Sequence, residues 1–380
     1  RLGNAFADVG VGFGDNVAMM LHNRLEYLWT WFGLNRLGAV PVAINTALKG
    51  TFLTHVLTNV RSRIAVVEPE FLPWLEDIED TVPDLEVIYV VGDMPGADEL
   101  PAFKRCTVHP FDDLMHASDA EMDVEVSYRD IGMVMFTSGT TGPSKGVLMP
   151  HGHLFLFARS MEVHLALTDE DRYYVCMPLF HAQGSLMQLY GSLLAGAYVV
   201  LMKQFRATSW IDDVKKYRAT VTNTLGVMND FVLKQPVKEG ERENDLRILC
   251  AVPVVEETLA AFRERFGIPK FNELFGMTEC NLPVGRPIDA PDEAGCSGKV
   301  WDEYFEVIIA DPDTDEEVPV GTVGEILVRP KEPFCFMQGY NGMPERTVET
   351  WRNFWFHTGD GGRMDERGYI WYIDRIKDTI

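Results

Sequence analysis

The chain has 380 residues, 46% hydrophobic and 24% charged, an ordinary globular composition that is too long for one small core. Its formal net charge of −23 argues against nucleic acid or an anionic membrane as partner, since both reward clustered Lys and Arg. An anionic ligand must therefore be held by a local device and not by the field of the whole protein.

No apolar run approaches the roughly 18 residues needed to span a bilayer, so no membrane span is expected. The opening residues Arg1, Leu2, Gly3 and Asn4 lack a charged-then-apolar leader pattern, and the first residue is not Met, so a truncated chain is expected. The six cysteines (Cys106, Cys176, Cys250, Cys280, Cys296 and Cys335) are scattered without a C-x-x-C pair. This spacing disfavours a zinc site or a disulfide framework and fits a reducing, cytoplasmic setting.

Residues 16–21 read as a buried strand, and 25–38 as a helix rich in Trp29, Trp31 and Phe32 that Gly38 stops. Strands follow at 39–44, 63–67 and 87–91, an alternation that implies parallel sheet with helices on its faces. Residues 92–130 are acidic, punctuated by Pro and Gly, and read as a connection with some local structure. A second α/β block runs from 131 to about 298, with a helix around 212–217 and a strand at 246–252. Beyond Gly298 the texture changes to short alternating strands such as 305–309 and 325–328, separated by a turn at 311–313. The expected fold class is α/β: two parallel-sheet subdomains in a layered αβαβα core, plus a small antiparallel, barrel-like subdomain. The expected boundaries are about 1–190, 191–298 and 299–373, followed by a hinge at 374–380.

The sharpest feature is the segment M-F-T-S-G-T-T-G-P-S-K-G-V at 135–147, where an apolar strand runs into glycines, hydroxyl side chains and one lysine. Glycines let backbone N–H groups approach a polyphosphate, hydroxyls donate hydrogen bonds, and Lys145 supplies charge. It is not a Walker A loop. Ser144 stands where that pattern requires glycine before the lysine, and Gly146 follows where it requires Ser or Thr.

This segment instead resembles the signature of the adenylate-forming superfamily, which includes acyl-CoA synthetases, luciferases and peptide-synthetase adenylation domains. Further segments agree in order: residues 35–49, P-L-F-H at 178–181, F-G-M-T-E at 275–279, G-T-V-G-E-I at 321–326, H-T-G-D at 357–360 and D-R-I-K-D at 374–378. The resemblance covers nearly the whole chain. It lies closest to the carnitine/crotonobetaine-CoA ligase branch, on the region 215–222 and the C-A-V-P at 250–253, where many relatives have G-G-A-P.

The resemblance implies ATP and coenzyme A as co-substrates, Mg²⁺ as the metal, and a small carboxylic acid as the substrate. Thr137, Ser138, Gly139, Thr140, Thr141, Gly142 and Lys145 would cradle the phosphates. Phe275, Gly276, Met277, Thr278 and Tyr372 would contact the nucleotide, and Asp360 and Arg375 its ribose. Phe275 replaces the family's tyrosine, keeping the ring face but not the hydroxyl. Glu279, with Thr141, would hold the metal; Lys145, Thr278, Glu279 and His181 form the implied catalytic set. His181, Met187, Gly226, Val227 and Met228 would line the acyl pocket, where core packing is an equal reading for all but His181, and Lys377 would be the hinge pivot.

The expected missing piece is the family's C-terminal domain, of about 100 residues. Without it the chain is expected to bind nucleotide yet to be nearly inactive as a ligase. The acceptor could also be a carrier-protein phosphopantetheine, or oxygen as in luciferases. A catalytically degenerate binder is disfavoured because Lys145, Glu279 and Asp360 are all present. The aromatic and methionine content of the pocket region suits a medium apolar, alicyclic or bulky acyl group. Oligomeric state stays open, a homodimer included.

Overall fold

The computed structural model describes residues 1–96, 98–137, 143–253 and 255–376. Chain contacts divide it into two units, the first made of Arg1–Leu154, Pro178–Ala182 and Met337–Pro344. The second comprises Phe155–Met177, Gln183–Phe336 and Glu345–Ile380.

The first unit is built on an eight-stranded sheet. From one edge its strands are Gly339–Tyr340, Lys145–Pro150, Ile131–Thr137, Val40–Ala43, Asn16–Met20, Ile64–Val67, Val87–Val90 and Thr107–Pro110. The six from Ile131–Thr137 onward are parallel, and the first two are antiparallel additions at the edge. The chain steps from the Asn16–Met20 strand to Val40–Ala43 on one side, then crosses back to Ile64–Val67 on the other.

Two helices make these crossovers. Leu25–Leu37 buries Tyr27, Thr30, Trp31, Leu34 and Leu37, a stripe at helical spacing. It ends at Gly38, whose φ of 75° closes the helix in the left-handed region that glycine enters without a Cβ penalty. Gly50–Val60 buries Leu53, Val56, Leu57 and Val60 against Val40, Val42, Ala65 and Val67 of the sheet. The strands expected at 16–21, 39–44, 63–67 and 87–91 thus all form, each within two residues of the expected bounds. The 92–130 connection also contributes a strand of its own, Thr107–Pro110.

The second unit holds two sheets. One is a parallel sheet in the order Phe271–Asn272, Ile248–Val252, Val221–Leu225, Arg172–Val175 and Tyr198–Leu201. Helices Trp210–Tyr217 and Glu256–Phe266 cover it with Trp210, Ile211, Val214, Leu259, Phe262 and Phe266. The other is an open antiparallel path: Leu274–Met277, Asn281–Gly285, Cys296–Val300, Tyr369–Arg375, Trp355–Met364, Gly324–Pro330 and Phe305–Ala310, with Trp351–Arg352 on its side.

The run 271–275 serves both sheets. Phe271–Asn272 ends the parallel sheet and, with only Glu273 between, Leu274–Met277 begins the antiparallel one. That single-residue step puts the F-G-M-T-E motif on the antiparallel sheet.

Phe262 lies at the centre of the second unit's aromatic core. Its ring meets Trp210 at 6.0 Å and 68°, Phe271 at 6.5 Å and 86°, and Phe266 at 5.2 Å and 58°. Truncating such a ring leaves a cavity that close-packed neighbours fill only in part. Phe262→Ala should cost about 3–5 kcal/mol. Native-state hydrogen exchange should then show the amides of Val221–Leu225 and Ile248–Val252 losing about two orders of magnitude or more of protection. Unchanged protection in these strands would contradict this packing.

Candidate functional site

In the first unit, the Gly/Ser/Thr/Lys segment joins two antiparallel neighbours. Thr137 ends one strand and Lys145 begins the next, and the two stand opposite each other in register, followed by Phe136 opposite Gly146. Ser138, Gly139, Thr140, Thr141 and Gly142 lie outside the described residues, as does Lys377. The expectation of a strand entering the segment holds, and the lysine begins a strand of its own.

The neck of this hairpin is braced from two directions. A ring nitrogen of His55 lies 2.7 Å from the carbonyl oxygen of Ser144. The backbone N–H of Asn341 donates to the Gly146 carbonyl at 2.7 Å. Asn59 and Asn341 exchange hydrogen bonds, each side-chain amide donating to the other's backbone carbonyl at 2.9 Å. Lys145 Nζ donates to the hydroxyl of Tyr340 at 3.1 Å and sits 4.2 Å from the centre of its ring.

In the second unit, Asp360 lies inside the Trp355–Met364 strand and not at a simple turn. Gly359 just before it takes a φ of 72°, which admits a local irregularity within a continuous strand. Asp360 pairs in register with Arg375, and the Arg375 Nε lies 3.0 Å from its Oδ1. Arg375 Nη1 also donates to the Thr358 carbonyl at 3.3 Å. The Asp360 N–H donates to Thr358 Oγ1 at 3.1 Å, and that hydroxyl donates to the Ile326 carbonyl at 2.7 Å.

Glu325 ties the same segment from the neighbouring strand. One oxygen accepts the Gly359 N–H at 2.9 Å, and the other lies 3.0 Å from His357 Nδ1. Asp360 is only 4% exposed. Burial pushes its carboxyl up to about 6, against the pull of Arg375; the charges of Glu279, Glu325 and Asp374 push it the same way as burial.

The F-G-M-T-E motif forms the end of a tight hairpin. Leu274–Met277 pairs antiparallel with Asn281–Gly285, and Met277 stands opposite Asn281. The Cys280 N–H donates to the Met277 carbonyl at 3.2 Å, and Asn281 takes a φ of 70°. A Cβ on Gly276 would fall 2.1 Å from the Asn281 carbonyl oxygen, so only glycine fits there. Thr278 and Glu279 sit at the tip, with Glu279 4% exposed. The Phe275 ring lies 6.2 Å from Tyr372 at 26°, giving two nearly parallel ring faces.

The structure thus brings Phe275, Gly276, Met277, Asp360, Tyr372 and Arg375 onto one antiparallel sheet of the second unit, with Thr278 and Glu279 at the tip of one of its hairpins. Buried Cys280 registers the gathering: burial first, then the negative charge of Glu279 and Asp360, raises its thiol well above the ordinary value.

The pocket candidates fall in different places. His181, in the first unit, is exposed at a turn whose N–H donates to the Pro178 carbonyl at 3.0 Å. Its ring lies 5.3 Å from Phe180. In the second unit, Met187 is buried within a π-helical stretch, Gln183–Tyr190, a rare geometry that recurs at functional sites. Gly226, Val227 and Met228 open the helix at the carboxyl end of the Val221–Leu225 strand, the edge where open parallel sheets bind ligands. Met228 is buried, whereas Val227 is 57% exposed.

Sequence reasoning missed the bracing residues His55, Asn59, Tyr340 and Asn341, and the role of Glu325. Glu325 lay within a segment already singled out. The others gave no local signal, because Tyr340 reaches Lys145 across 195 positions of chain.

A parallel α/β fold with a hydroxyl-rich, lysine-ended segment at one strand's tip defines a nucleotide-binding enzyme. A family model described as "AMP-binding enzyme" matches residues 1–341. The crotonobetaine/carnitine–CoA ligase of Salmonella heidelberg (strain SL476) is 31% identical over 386 residues, covering 100% of this chain and 73% of the relative. Among solved structures, the anthranilate CoA ligase AuaEII in complex with anthranoyl-AMP matches at a TM-score of 0.88 and 26% identity, covering 100% of this chain and 71% of that one. ATP-bound MatB from Rhodopseudomonas palustris matches at 0.85 and 25%, covering 100% and 72%. The chain therefore belongs to the AMP-binding enzyme family, within the adenylate-forming acyl-CoA ligase superfamily. No helix among the described residues is long and apolar enough to cross a membrane.

The buried carboxyl of Asp360 makes stability depend on pH. Its folded pKa of about 6 lies above its ordinary 3.8, so the native state holds the proton more tightly than the unfolded chain. That stabilisation is full below about pH 4 and is lost as pH rises through about 6. Asp360→Asn removes it. Without nucleotide or divalent metal, the variant's stability relative to the parent should rise by up to ~3 kcal/mol between pH 4 and 7 in urea titrations. A difference that stays flat with pH would contradict the burial of this group.

Proposed function

We propose that this protein activates a carboxylic acid with ATP to give an acyl-adenylate and pyrophosphate, and passes the acyl group to the thiol of coenzyme A. In the first step a carboxylate oxygen bonds to the α-phosphorus and the bond to the bridging oxygen of pyrophosphate breaks. In the second the CoA thiolate bonds to the acyl carbon and AMP leaves. The observation that carries this reading is the grouping of Asp360, Arg375, Phe275 and Tyr372 on one sheet, with Thr278 and Glu279 at the tip of its hairpin.

Each group has a chemical part. Asp360, held by backbone and Arg375, can accept hydrogen bonds from the two vicinal hydroxyls of a ribose. Phe275 and Tyr372 offer ring faces to a purine. Thr137 and Lys145 hold the phosphates, where the lysine offsets charge as two anions approach. Glu279 is a buried carboxylate beside a negative centre, an oxygen donor of the kind Mg²⁺ takes, and would hold that ion, which supplies charge neutralisation at the phosphates. His181, Met187, Gly226, Val227 and Met228 border the acyl group, and Lys377 is the pivot of a hinge.

The names of the relatives support CoA as acceptor, and the anthranoyl-AMP and ATP complexes of the structural neighbours support the adenylate step. The acid itself is sought best by binding, which does not require turnover. Titration calorimetry with acyl-sulfamoyl-adenosines, stable mimics of acyl-adenylates, should give one acyl class binding at least about 100-fold tighter than AMP. The holoenzyme with ATP, Mg²⁺ and CoA should then convert that acid to its thioester and AMP, read by mass spectrometry. Adenylate without thioester would move the acceptor to a carrier protein, and no binding of any mimic would overturn the adenylation reading.

A further inference from the structure

We propose that Tyr340 is a positioning residue for Lys145, fixing the phosphate-binding ammonium through its hydroxyl and its ring. The proposal rests on the reading above that Lys145 holds ATP phosphates. Tyr340 and the lysine lie in the same unit and on adjacent strands. Tyr340 stands opposite Val147 in the antiparallel pairing, and Lys145 is two residues earlier on the same face, the diagonal distance that long side chains reach.

A lysine side chain carries four rotatable bonds and about 2 kcal/mol of rotamer entropy, so an unguided ammonium samples many places. Here two contacts with Tyr340 restrict it. The Tyr340 oxygen accepts a hydrogen bond at 3.1 Å, and the ring face lies 4.2 Å away, within the range of a cation–π contact. Tyr340 itself is buried, so the platform is rigid where the lysine is half-buried.

The platform is in turn locked to the hairpin. Asn341, next in sequence, donates its N–H to Gly146 and exchanges amide hydrogen bonds with Asn59 on the Gly50–Val60 helix. A Cβ on Gly146 would fall 3.0 Å from Asn59 Oδ1 and 3.1 Å from the Phe136 ring, so the strands approach closely there. Tyr340 thus reports the position of the helix and the edge strand to the one cation of this segment. Pre-setting a charge in this way spares the ligand the cost of ordering it.

The test is a double-mutant cycle on nucleotide binding by calorimetry, with Mg-ATP, pyrophosphate and AMP as probes. Tyr340→Phe keeps the ring and the fold but removes the acceptor. It should weaken ATP and pyrophosphate about three- to tenfold and leave AMP, which lacks the β- and γ-phosphates, within twofold. Tyr340→Leu removes the ring as well and should weaken ATP further. In a Lys145→Ala background, Tyr340→Phe should cause no additional loss, because the residue acts only through the lysine. Equal losses for ATP and AMP, or the same loss with and without Lys145, would overturn the proposal. If Lys145→Ala alone binds ATP as the parent does, the phosphate reading fails first and the positioning role falls with it.

Discussion

The structure depends on keeping charged groups usable inside a protein that carries far more negative than positive charge. Asp360 is the sharpest case. It is buried and faces other carboxylates, and among the described residues the Arg375 guanidinium is what favours its ionised form. Burying a charge without partners is prohibitively costly, and a partner that neutralised it fully would leave nothing for a ligand. The arrangement lies between these limits. Arg375 is placed at Asp360 by strand register, Thr358 and Glu325 fix the segment, and the carboxyl keeps a raised pKa that a hydrogen-bond-donating ligand would relieve.

The same economy governs the first unit. With no favourable field from the whole molecule, the proposed phosphate-binding device has to be local: backbone N–H groups, hydroxyls and one lysine in a short segment. A lone flexible cation is a poor device unless something holds it. The antiparallel edge of an otherwise parallel sheet supplies that hold, because Lys145–Pro150 and Gly339–Tyr340 add a hairpin and a distant strand beside the lysine. Edge strands are often only protective; this one also carries a functional neighbour.

Much of the fold could be read from periodicity. The buried runs at Asn16–Met20, Ile64–Val67 and Val87–Val90 announce parallel strands because both faces are covered, and Gly38 announces a helix end because only glycine takes that conformation cheaply. The candidate site was legible where chemistry is concentrated in sequence, as at Lys145, Glu279 and Asp360. It was not legible where two distant segments share one contact. Nothing in Y-N at 340–341 predicts a partner at Lys145 or Asn59, since that pairing is decided by sheet order alone. Nor does the run 271–275 show that it changes sheets at Glu273, because no glycine or proline marks the step.

The most direct measurement of the central claim, that Lys145 is the phosphate-side cation of an ATP-binding site, is covalent labelling by an acyl-phosphate derivative of ATP. This reagent transfers its acyl tag to an amine beside the terminal phosphate. Tryptic peptides read by mass spectrometry should carry the tag on Lys145, with labelling suppressed by excess ATP and retained with excess adenosine. A tag distributed over other lysines, or one on Lys145 that ATP does not suppress, would contradict the account.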